Sequence, residues 1–400
     1  MDNLDNMLGQ KNYDVRISRD ARFMDQKCTP DVVCIIADCI LNLRGEGDNS
    51  EFTVQDIWDS QYFISNVKAI FNKPSASNPT TKSEYDKFIQ QPLRLLAYAG
   101  VLTIEKRGIR NYYTVAEPEI LEYISLRERN AYIFLYRYFT KVLSDSGLLR
   151  HFERFKDKYE GGKLSQADFV ALQEIFIRFI RGYTPIRGTT EIKRIFPKLM
   201  NVYSCANNLP GSLSGRLSKH QYYYTDLMYN RNNWRDLNKD KTISRQEADR
   251  VEDQITISGT DYSNYLIQKV MNVVRKLHRD SEVKDQFGNG EATQVHHIFP
   301  RRNYHQLAHY MENLIKLTAT QHYTKAHPSN KTDTINADYQ LICLLSKCDT
   351  IEASLKKYSE RYYRKESLIH CINTGLGVKL DYGLNFLNIK RELAKIYNSK

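Results

Sequence analysis

The chain has 400 residues, 41% of them hydrophobic, which is too long for one compact core and predicts two or three domains. Its 58 lysines and arginines outnumber 47 aspartates and glutamates, and the net charge of +11 favours a polyanionic partner such as nucleic acid over a merely basic protein. No apolar run approaches the roughly 18 residues that span a bilayer, and the first residues lack the basic and apolar regions of a secretory signal, so a cytoplasmic, membrane-free location is expected.

The N-terminal region predicts helices followed by a hairpin. An apolar run over residues 30–43 begins with proline, which suits a first helical turn, and Thr53 is a candidate N-cap for a short second helix. A third helix is expected within residues 83–100, with a break or a fresh start at Pro92. Residues 101–115 then form two β-rich runs joined by a turn at an Arg-Gly pair, which indicates a hairpin.

Helices followed by a basic-tipped hairpin resemble a winged helix-turn-helix domain, here over residues 1–116. In that family the last helix enters the major groove and the hairpin wing touches the DNA backbone. The alternative is a winged helix that binds protein. The resemblance implies a DNA-binding set on the third helix and the wing: Gln90, Gln91, Arg94, Lys106, Arg107 and Arg110.

Residues 117–285 are predicted to be a helical domain for target recognition or linking. Apolar side chains recur every three to four residues over 117–147, which predicts one long helix ending at a glycine. Ser165 is expected to cap a second helix, and a third, over residues 189–208, is expected to kink at Pro197. The basic, tyrosine-rich segment 211–235 either stacks on nucleic acid or forms an ordinary packing surface, which is favoured.

Residues 236–247, DLNKDKTISRQE, have the oxygen spacing of an EF-hand loop but place Lys241 where such loops need glycine. We therefore favour a polar loop that caps the next helix through Ser244 and Glu247, since S-x-x-E is a capping box. A calcium loop remains the alternative. Its ligands would be Asp236, Asn238, Asp240, Thr242, Ser244 and Glu247.

The C-terminal domain, 286–400, contains adjacent histidines in the segment QVHHIFPRRNY, residues 294–304. The pattern from there predicts a strand, a long loop, a second strand beginning at Asn313, and a helix that carries His322. Neighbouring side chains on a strand point to opposite faces. Imidazoles from separate elements can hold a cation and leave positions for water and a phosphate oxygen.

Over residues 291–328 the motif VHHIFP…ENLIKLTATQHYTKAHP resembles the HNH family of ββα-metal nucleases. The resemblance implies that His297 is the general base and that His296 and His322 bind one divalent ion, with His327 as the last ligand. Asn313 matches the namesake asparagine, which in some members binds metal and in others bonds the loop and orients the base.

Two features depart from the family pattern. His327 follows His322 by five residues instead of four, a step that rotates it by about 140° on a regular helix, so it either binds metal after a turn or contacts phosphate. Thr318 and Gln321 stand where many relatives have a cysteine pair, so no structural zinc is expected. Arg301 and Arg302 are candidates to clamp the scissile phosphate, or they belong to a solvated loop.

The expected fold is mainly α with small β elements. The expected function is metal-dependent, site-specific cleavage of double-stranded DNA, as in a type II restriction endonuclease, leaving 5′-phosphate and 3′-hydroxyl ends. Mg²⁺ is the expected ion, and Mn²⁺, Ni²⁺ or Zn²⁺ also suit imidazole ligands. No ATP-binding motif is found. A double-strand break implies a homodimer or sequential nicking. The alternatives are a homing, mobile-element or modification-dependent endonuclease, and a DNA-binding regulator with an inactive nuclease module.

Overall fold

The computed structural model describes residues 2–44, 48–71, 82–229, 260–288, 290–326 and 335–398. These residues are mainly helical and include three small antiparallel sheets of two strands each, which confirms the predicted fold class at that level. Within the same ranges no helix is both long enough and apolar enough to cross a bilayer.

The chain divides into two compact units, an N-terminal unit of residues 2–233 and a C-terminal unit of residues 234–400. This division is coarser than the three predicted domains 1–116, 117–285 and 286–400, which stay a prediction. The predicted calcium loop, 236–247, lies outside the described residues.

The N-terminal unit is built from helices and two hairpins. Its helices are α1 (Asp2–Gly9), α2 (Val15–Ser18), α3 (Pro30–Arg44), α4 (Val54–Asp59), α5 (Gln61–Phe71), α6 (Lys82–Ala99), α7 (Pro118–Leu126), α8 (Glu128–Asp145), α9 (Leu149–Glu160), α10 (Gln166–Tyr183) and α11 (Thr189–Ala206). Its strands are β1 (Leu102–Arg107), β2 (Arg110–Val115), β3 (Pro210–Leu213) and β4 (Arg216–Gln221).

Local capping signals fix several of these boundaries. Pro30 opens α3, and Thr53 caps α4 in a capping box with Asp56. Ser165 caps α10 in the same way. Gly100 follows α6 with a φ of 90°, a left-handed conformation that favours glycine. All four predicted boundaries are confirmed.

Two other expectations are wrong. Helix α6 runs through Pro92 without a break, because buried side chains on both sides, Phe88 and Leu96 among them, stabilise it against a proline cost of about 3 kcal/mol. The single long helix predicted over 117–147 is two helices, since Arg127 adopts an extended backbone between α7 and α8.

The second hairpin, β3–β4, was not predicted. It turns at Ser214 and Gly215, whose φ angles of 50° and 78° are both left-handed, as a tight hairpin turn requires. The Ser-Gly pair between two short runs was the available signal.

The C-terminal unit places one small sheet among helices. Strand β5 (Gln294–His297) pairs antiparallel with β6 (Leu314–Leu317). A single turn of π-helix, Gln321–Ala326, follows β6. The helices are α12 (Thr260–Leu277), α13 (Ala337–Tyr358), α14 (Lys365–Leu376) and α15 (Phe386–Asn398).

A buried ion pair ties this sheet to α13. The Glu282 carboxylate accepts from Lys347 Nζ at 2.9 Å and from the backbone N–H of Lys316, in β6, at 2.8 Å. Lys347 also donates to Tyr363 Oη at 3.0 Å, and that hydroxyl hydrogen-bonds His278 Nε2 at 2.8 Å. The pKa of His278 is lowered to about 4, mainly by burial; Glu282 opposes this shift, and the nearby charges of Lys347 and Lys316 add to it.

We expect this histidine to make the protein acid-labile. Between its unfolded pKa of about 6.5 and its folded pKa of about 4, the unfolded chain binds a proton at His278 that the folded chain does not. The free energy of unfolding therefore decreases as the pH is lowered through this range. At pH 5 it is lower than at pH 7 by about 2 kcal/mol from this group alone.

Urea unfolding at pH 7 and pH 5 tests this expectation. His278→Asn should lose less stability than the wild type over the same pH step, and the same substitution at the exposed His305 serves as the control. An equal pH loss in the wild type and in His278→Asn would contradict the assignment.

Candidate active site

The two adjacent histidines lie at the end of β5, where β6 begins on the partner strand. His296 pairs with Ile315 and His297 with Leu314 in the antiparallel register. From Gln294 to Leu317 the structure has the predicted order of strand, loop and strand, but β6 begins at Leu314 and Asn313 lies in the turn before it. His322 lies in a π-helical turn, Gln321–Ala326, where a helix was predicted.

His296 and His322 converge from two different elements. Their ring centroids are 5.3 Å apart with the planes at 72°, so the edge of one imidazole faces the other ring. His296 is buried, with 5% of its surface exposed, and His322 is half-buried in the π-helix. Single π-helical turns are rare and occur frequently at functional sites. His296 and His322 stay the predicted ligands of a divalent cation, which imidazole nitrogens suit.

His297 is held by the loop between the strands. Its Nε2 lies 3.0 Å from the backbone carbonyl of Ala308, and because a carbonyl only accepts, Nε2 carries the hydrogen. Nδ1 is then the unprotonated nitrogen of the ring. Burial lowers the pKa of His297, the carbonyl of Ala308 opposes this, and the charge of Arg301 lowers it further. The imidazole is consequently neutral at pH 7 and able to accept a proton.

Asn313 fastens that loop to the start of β6. Its side chain is fully buried, and Oδ1 accepts from the backbone N–H of Phe299 at 2.8 Å. Nδ2 donates to the carbonyls of Phe299 and Leu307, each at 3.1 Å. Both amide hydrogens and the amide oxygen are thus engaged with the loop. Leu307 directly precedes Ala308, so this amide holds the carbonyl that orients His297.

The C-terminal helices brace the same loop from outside the motif. Gln340, in α13, donates to the carbonyl of Ile298 at 2.7 Å and accepts from Tyr397 Oη, in α15, at 2.7 Å. Gly375, in α14, lies against the buried ring of Phe299, where a Cβ would overlap the ring. Sequence reasoning missed these three residues because each acts through a contact more than 40 residues away in the chain.

Thr318 and Gln321, at the expected position of a cysteine pair, form a buried hydrogen-bond network. Gln321 Oε1 accepts from Ser281 Oγ at 2.6 Å, and its Nε2 donates to Asp285 Oδ1 at 2.8 Å. Thr318 Oγ1 donates to the carbonyl of Phe287 at 2.9 Å. These bonds attach the turn that carries His322 to the segment before β5.

The loop after β5 presents two exposed arginines. Arg301 donates to Asn264 Oδ1 in α12 at 2.7 Å, and Arg302 is exposed beside it. His305 is exposed, whereas His309 is half-buried with its ring 4.8 Å from that of Tyr310. Arg301 and Arg302 remain predicted phosphate contacts.

His327 lies outside the described residues. Within the described ranges, no three side chains of His, Cys, Asp or Glu meet in a group that could hold a metal ion. Among the described residues, His296 and His322 are therefore the two predicted metal ligands whose rings lie together.

The residues predicted to touch DNA in the N-terminal unit differ in their surroundings. On α6, Gln90 and Gln91 are half-buried, and Gln91 accepts from the backbone N–H of Lys27 at 2.8 Å. Arg94 Nη2 lies 3.9 Å from an Asp20 carboxylate oxygen.

On the wing, Arg107 pairs with Glu51 and Glu105, each with a closest approach of 2.6 Å. These two carboxylates neutralise its charge. Lys106 and Arg110 are exposed on either side of the turn and stay the predicted backbone contacts of the wing.

No family model, curated protein or solved structure was found to match this chain. The functional assignment consequently depends on the site itself.

Asn313→Asp distinguishes the two roles that the resemblance left open for this residue. A carboxylate is a better cation ligand than an amide, so a metal-binding Asn313 would tolerate aspartate. A loop-fastening Asn313 would not, because a carboxylate cannot donate to the carbonyls of Phe299 and Leu307. We expect Asn313→Asp and Asn313→Ala each to lower the free energy of unfolding by about 3 kcal/mol, from buried partners left unsatisfied.

Urea unfolding checks this expectation. Wild-type stability in Asn313→Asp would contradict the fastening role, and Asn303→Asp, in the same loop, is a matched control for the added charge.

Proposed function

We propose that the chain is a metal-dependent endonuclease of the HNH type that cleaves double-stranded DNA at specific sites. The observation that carries the proposal is the arrangement around β5. The imidazoles of His296 and His322 converge from two elements, while the neighbouring His297 is held separately by the Ala308 carbonyl. A bound cation beside one oriented base would supply two of the contributions that metal-assisted phosphodiester hydrolysis uses.

His296 and His322 would hold the ion, with Mg²⁺ as the expected metal and Mn²⁺, Ni²⁺ or Zn²⁺ as substitutes. When bound, the ion polarises the scissile phosphate and stabilises the leaving 3′ oxygen. His297 accepts the proton of the attacking water at Nδ1, because Nε2 is committed to Ala308. Hydrolysis in line with the 3′ oxygen leaves 5′-phosphate and 3′-hydroxyl ends.

We propose that the N-terminal unit recognises the DNA sequence that is to be cut. The elements of this unit follow one another as they do in a winged helix: α3, a β-bridge at Phe52, α4 to α6 and the β1–β2 hairpin. Phe52 pairs with Tyr113 of the hairpin through two backbone hydrogen bonds of 2.9 and 2.8 Å. Helix α6 would read base edges and the wing would contact phosphates. Together with the net charge of +11 this supports a restriction-type endonuclease acting in the cytoplasm, with a homodimer or two sequential nicks giving the double-strand break.

His297→Ala should abolish cleavage and leave DNA binding intact. Loss of a general base lowers the rate by about 10²- to 10⁴-fold, while the ring makes no contribution to DNA affinity in this mechanism. Supercoiled plasmid with Mg²⁺ measures cleavage, and polarisation of a labelled duplex measures binding.

One control variant and the pattern of plasmid cleavage distinguish the possible outcomes. His305→Ala, an exposed histidine in the same loop, should cut like the wild type. Discrete fragments from the wild type support site-specific cutting and a smear indicates a non-specific nuclease. Intact plasmid with Mg²⁺ or Mn²⁺, despite DNA binding, would contradict the proposal in favour of an inactive regulator.

A further inference from the structure

The tip of the β1–β2 hairpin carries the most exposed large apolar side chain among the described residues. Ile109 has 96% of its surface exposed. Together with Gly108 it forms the two-residue turn between the strands, and Gly108 has the left-handed φ of 61° that such a turn uses. We define the wing tip as residues 106–110.

The choice of isoleucine at this position is not explained by the fold. Single exposed apolar residues are common on protein surfaces, but hairpin turns favour glycine and short polar residues, and β-branched side chains favour strands. Ile109 gains neither burial nor a preferred backbone at the tip. Its apolar surface is therefore left for contact with another molecule.

Basic side chains stand on both faces of the hairpin directly behind Ile109. In the antiparallel register Arg107 pairs with Arg110, and Lys106 pairs with Asn111. Side chains alternate along a strand, and cross-strand partners share a face. Arg107 and Arg110 consequently lie on one face, and Lys106 lies on the other.

One cation on each face is left to meet an external anion. Arg107 is neutralised by Glu51 and Glu105, each with a closest approach of 2.6 Å. Lys106 and Arg110 are exposed and form no ion pair with any described residue. The wing tip is therefore an apolar point between two uncompensated positive charges.

The base of the hairpin is fixed to the core, so the tip is presented rigidly. Tyr113 is fully buried, and its ring stacks on that of Phe52 with the centroids 5.8 Å apart. At the start of β1 the carbonyl of Val101 accepts from the backbone N–H of Ala116, just past β2, at 3.0 Å. Little conformational entropy is then lost when Ile109 makes a contact.

A DNA groove matches this distribution of charge and apolar surface. Phosphates line both of its walls, and the stacked base pairs form its floor. Isoleucine is one of the apolar side chains that enter between base pairs from the minor groove. The hairpin begins two residues after α6 and packs on it. Since the grooves alternate along a duplex, an element beside a helix in the major groove faces the adjoining backbone and minor groove.

We propose that the wing tip enters the minor groove of the DNA site and that Ile109 is an apolar wedge that partly unstacks one base-pair step and bends the duplex. The proposal rests on the proposed function, because it assumes that α6 occupies the major groove. Pyrimidine–purine steps unstack most easily. The wedge would therefore add a preference for such a step without a hydrogen bond to its bases.

The test uses the DNA site mapped from the plasmid fragments, in a His297→Ala background that prevents cleavage. Fluorescence of 2-aminopurine placed along the site measures unstacking, and energy transfer between the duplex ends measures bending. The protein with Ile109 should raise the fluorescence at one step and bend the duplex by at least about 20°. Ile109→Ala should lose both signals and bind about tenfold more weakly, with an unchanged salt dependence because no charge is removed.

Three variants separate the wedge from the charges around it. Arg110→Ala should keep the unstacking signal but reduce the slope of log affinity against log salt by about 1. Ile109→Leu keeps an apolar side chain and should keep the bend. Ile17→Ala is the matched control, because it removes the same atoms from a residue that is 71% exposed on α2. The thermal midpoint of Ile109→Ala should equal that of the control, since neither side chain is packed.

Unstacking and bending by Ile109→Ala equal to those of Ile17→Ala would overturn the wedge. So would a wild-type protein that binds and cuts the site without bending it, and both results leave the proposed function standing. Unchanged duplex binding with self-association lost in sedimentation would also overturn the wedge, and would make the wing tip a contact between two copies. A wild-type protein that neither binds nor cuts DNA would overturn both proposals.

Discussion

The buried amide of Asn313 is the constraint on which the candidate site depends. Its three hydrogen bonds join the start of β6 to both ends of the segment from Phe299 to Leu307. That segment delivers the Ala308 carbonyl to His297, which selects the ring nitrogen left to accept a proton. An asparagine meets this demand because it alone combines one accepting oxygen with two donated hydrogens on a short side chain.

The rest of the C-terminal unit reinforces that arrangement with polar contacts that would be costly to leave unsatisfied. The Glu282–Lys347 pair holds β6 to α13, and Gln340 of α13 holds the Ile298 carbonyl beside the two histidines. Removing one partner of a buried pair is strongly destabilising, by roughly 3 to 5 kcal/mol. A metal site formed by His296 and His322 would therefore be preorganised before an ion arrives, since the network around Gln321 fixes the position of the next residue.

Features encoded by neighbouring residues could be predicted from the sequence. The caps at Thr53 and Ser165 depend on contacts within three residues. The strand, loop and strand from Gln294 to Leu317 follow from the local residue pattern. Features set by distant contacts could not be predicted. Continuity of α6 through Pro92 depends on core packing, and the bracing of Phe299 by Gly375 joins positions far apart in the chain. The placement of Arg107 between two carboxylates likewise requires Glu51, which no local pattern connects to the wing.

We propose that His296 and His322 share one divalent ion. Anomalous diffraction at the manganese edge, from crystals of the His297→Ala protein with Mn²⁺ and duplex DNA, measures it most directly. We expect one peak within about 2.3 Å of a ring nitrogen of both histidines, next to a phosphate oxygen. A peak bound elsewhere, or two imidazoles in contact with no ion between them at saturating Mn²⁺, would contradict it.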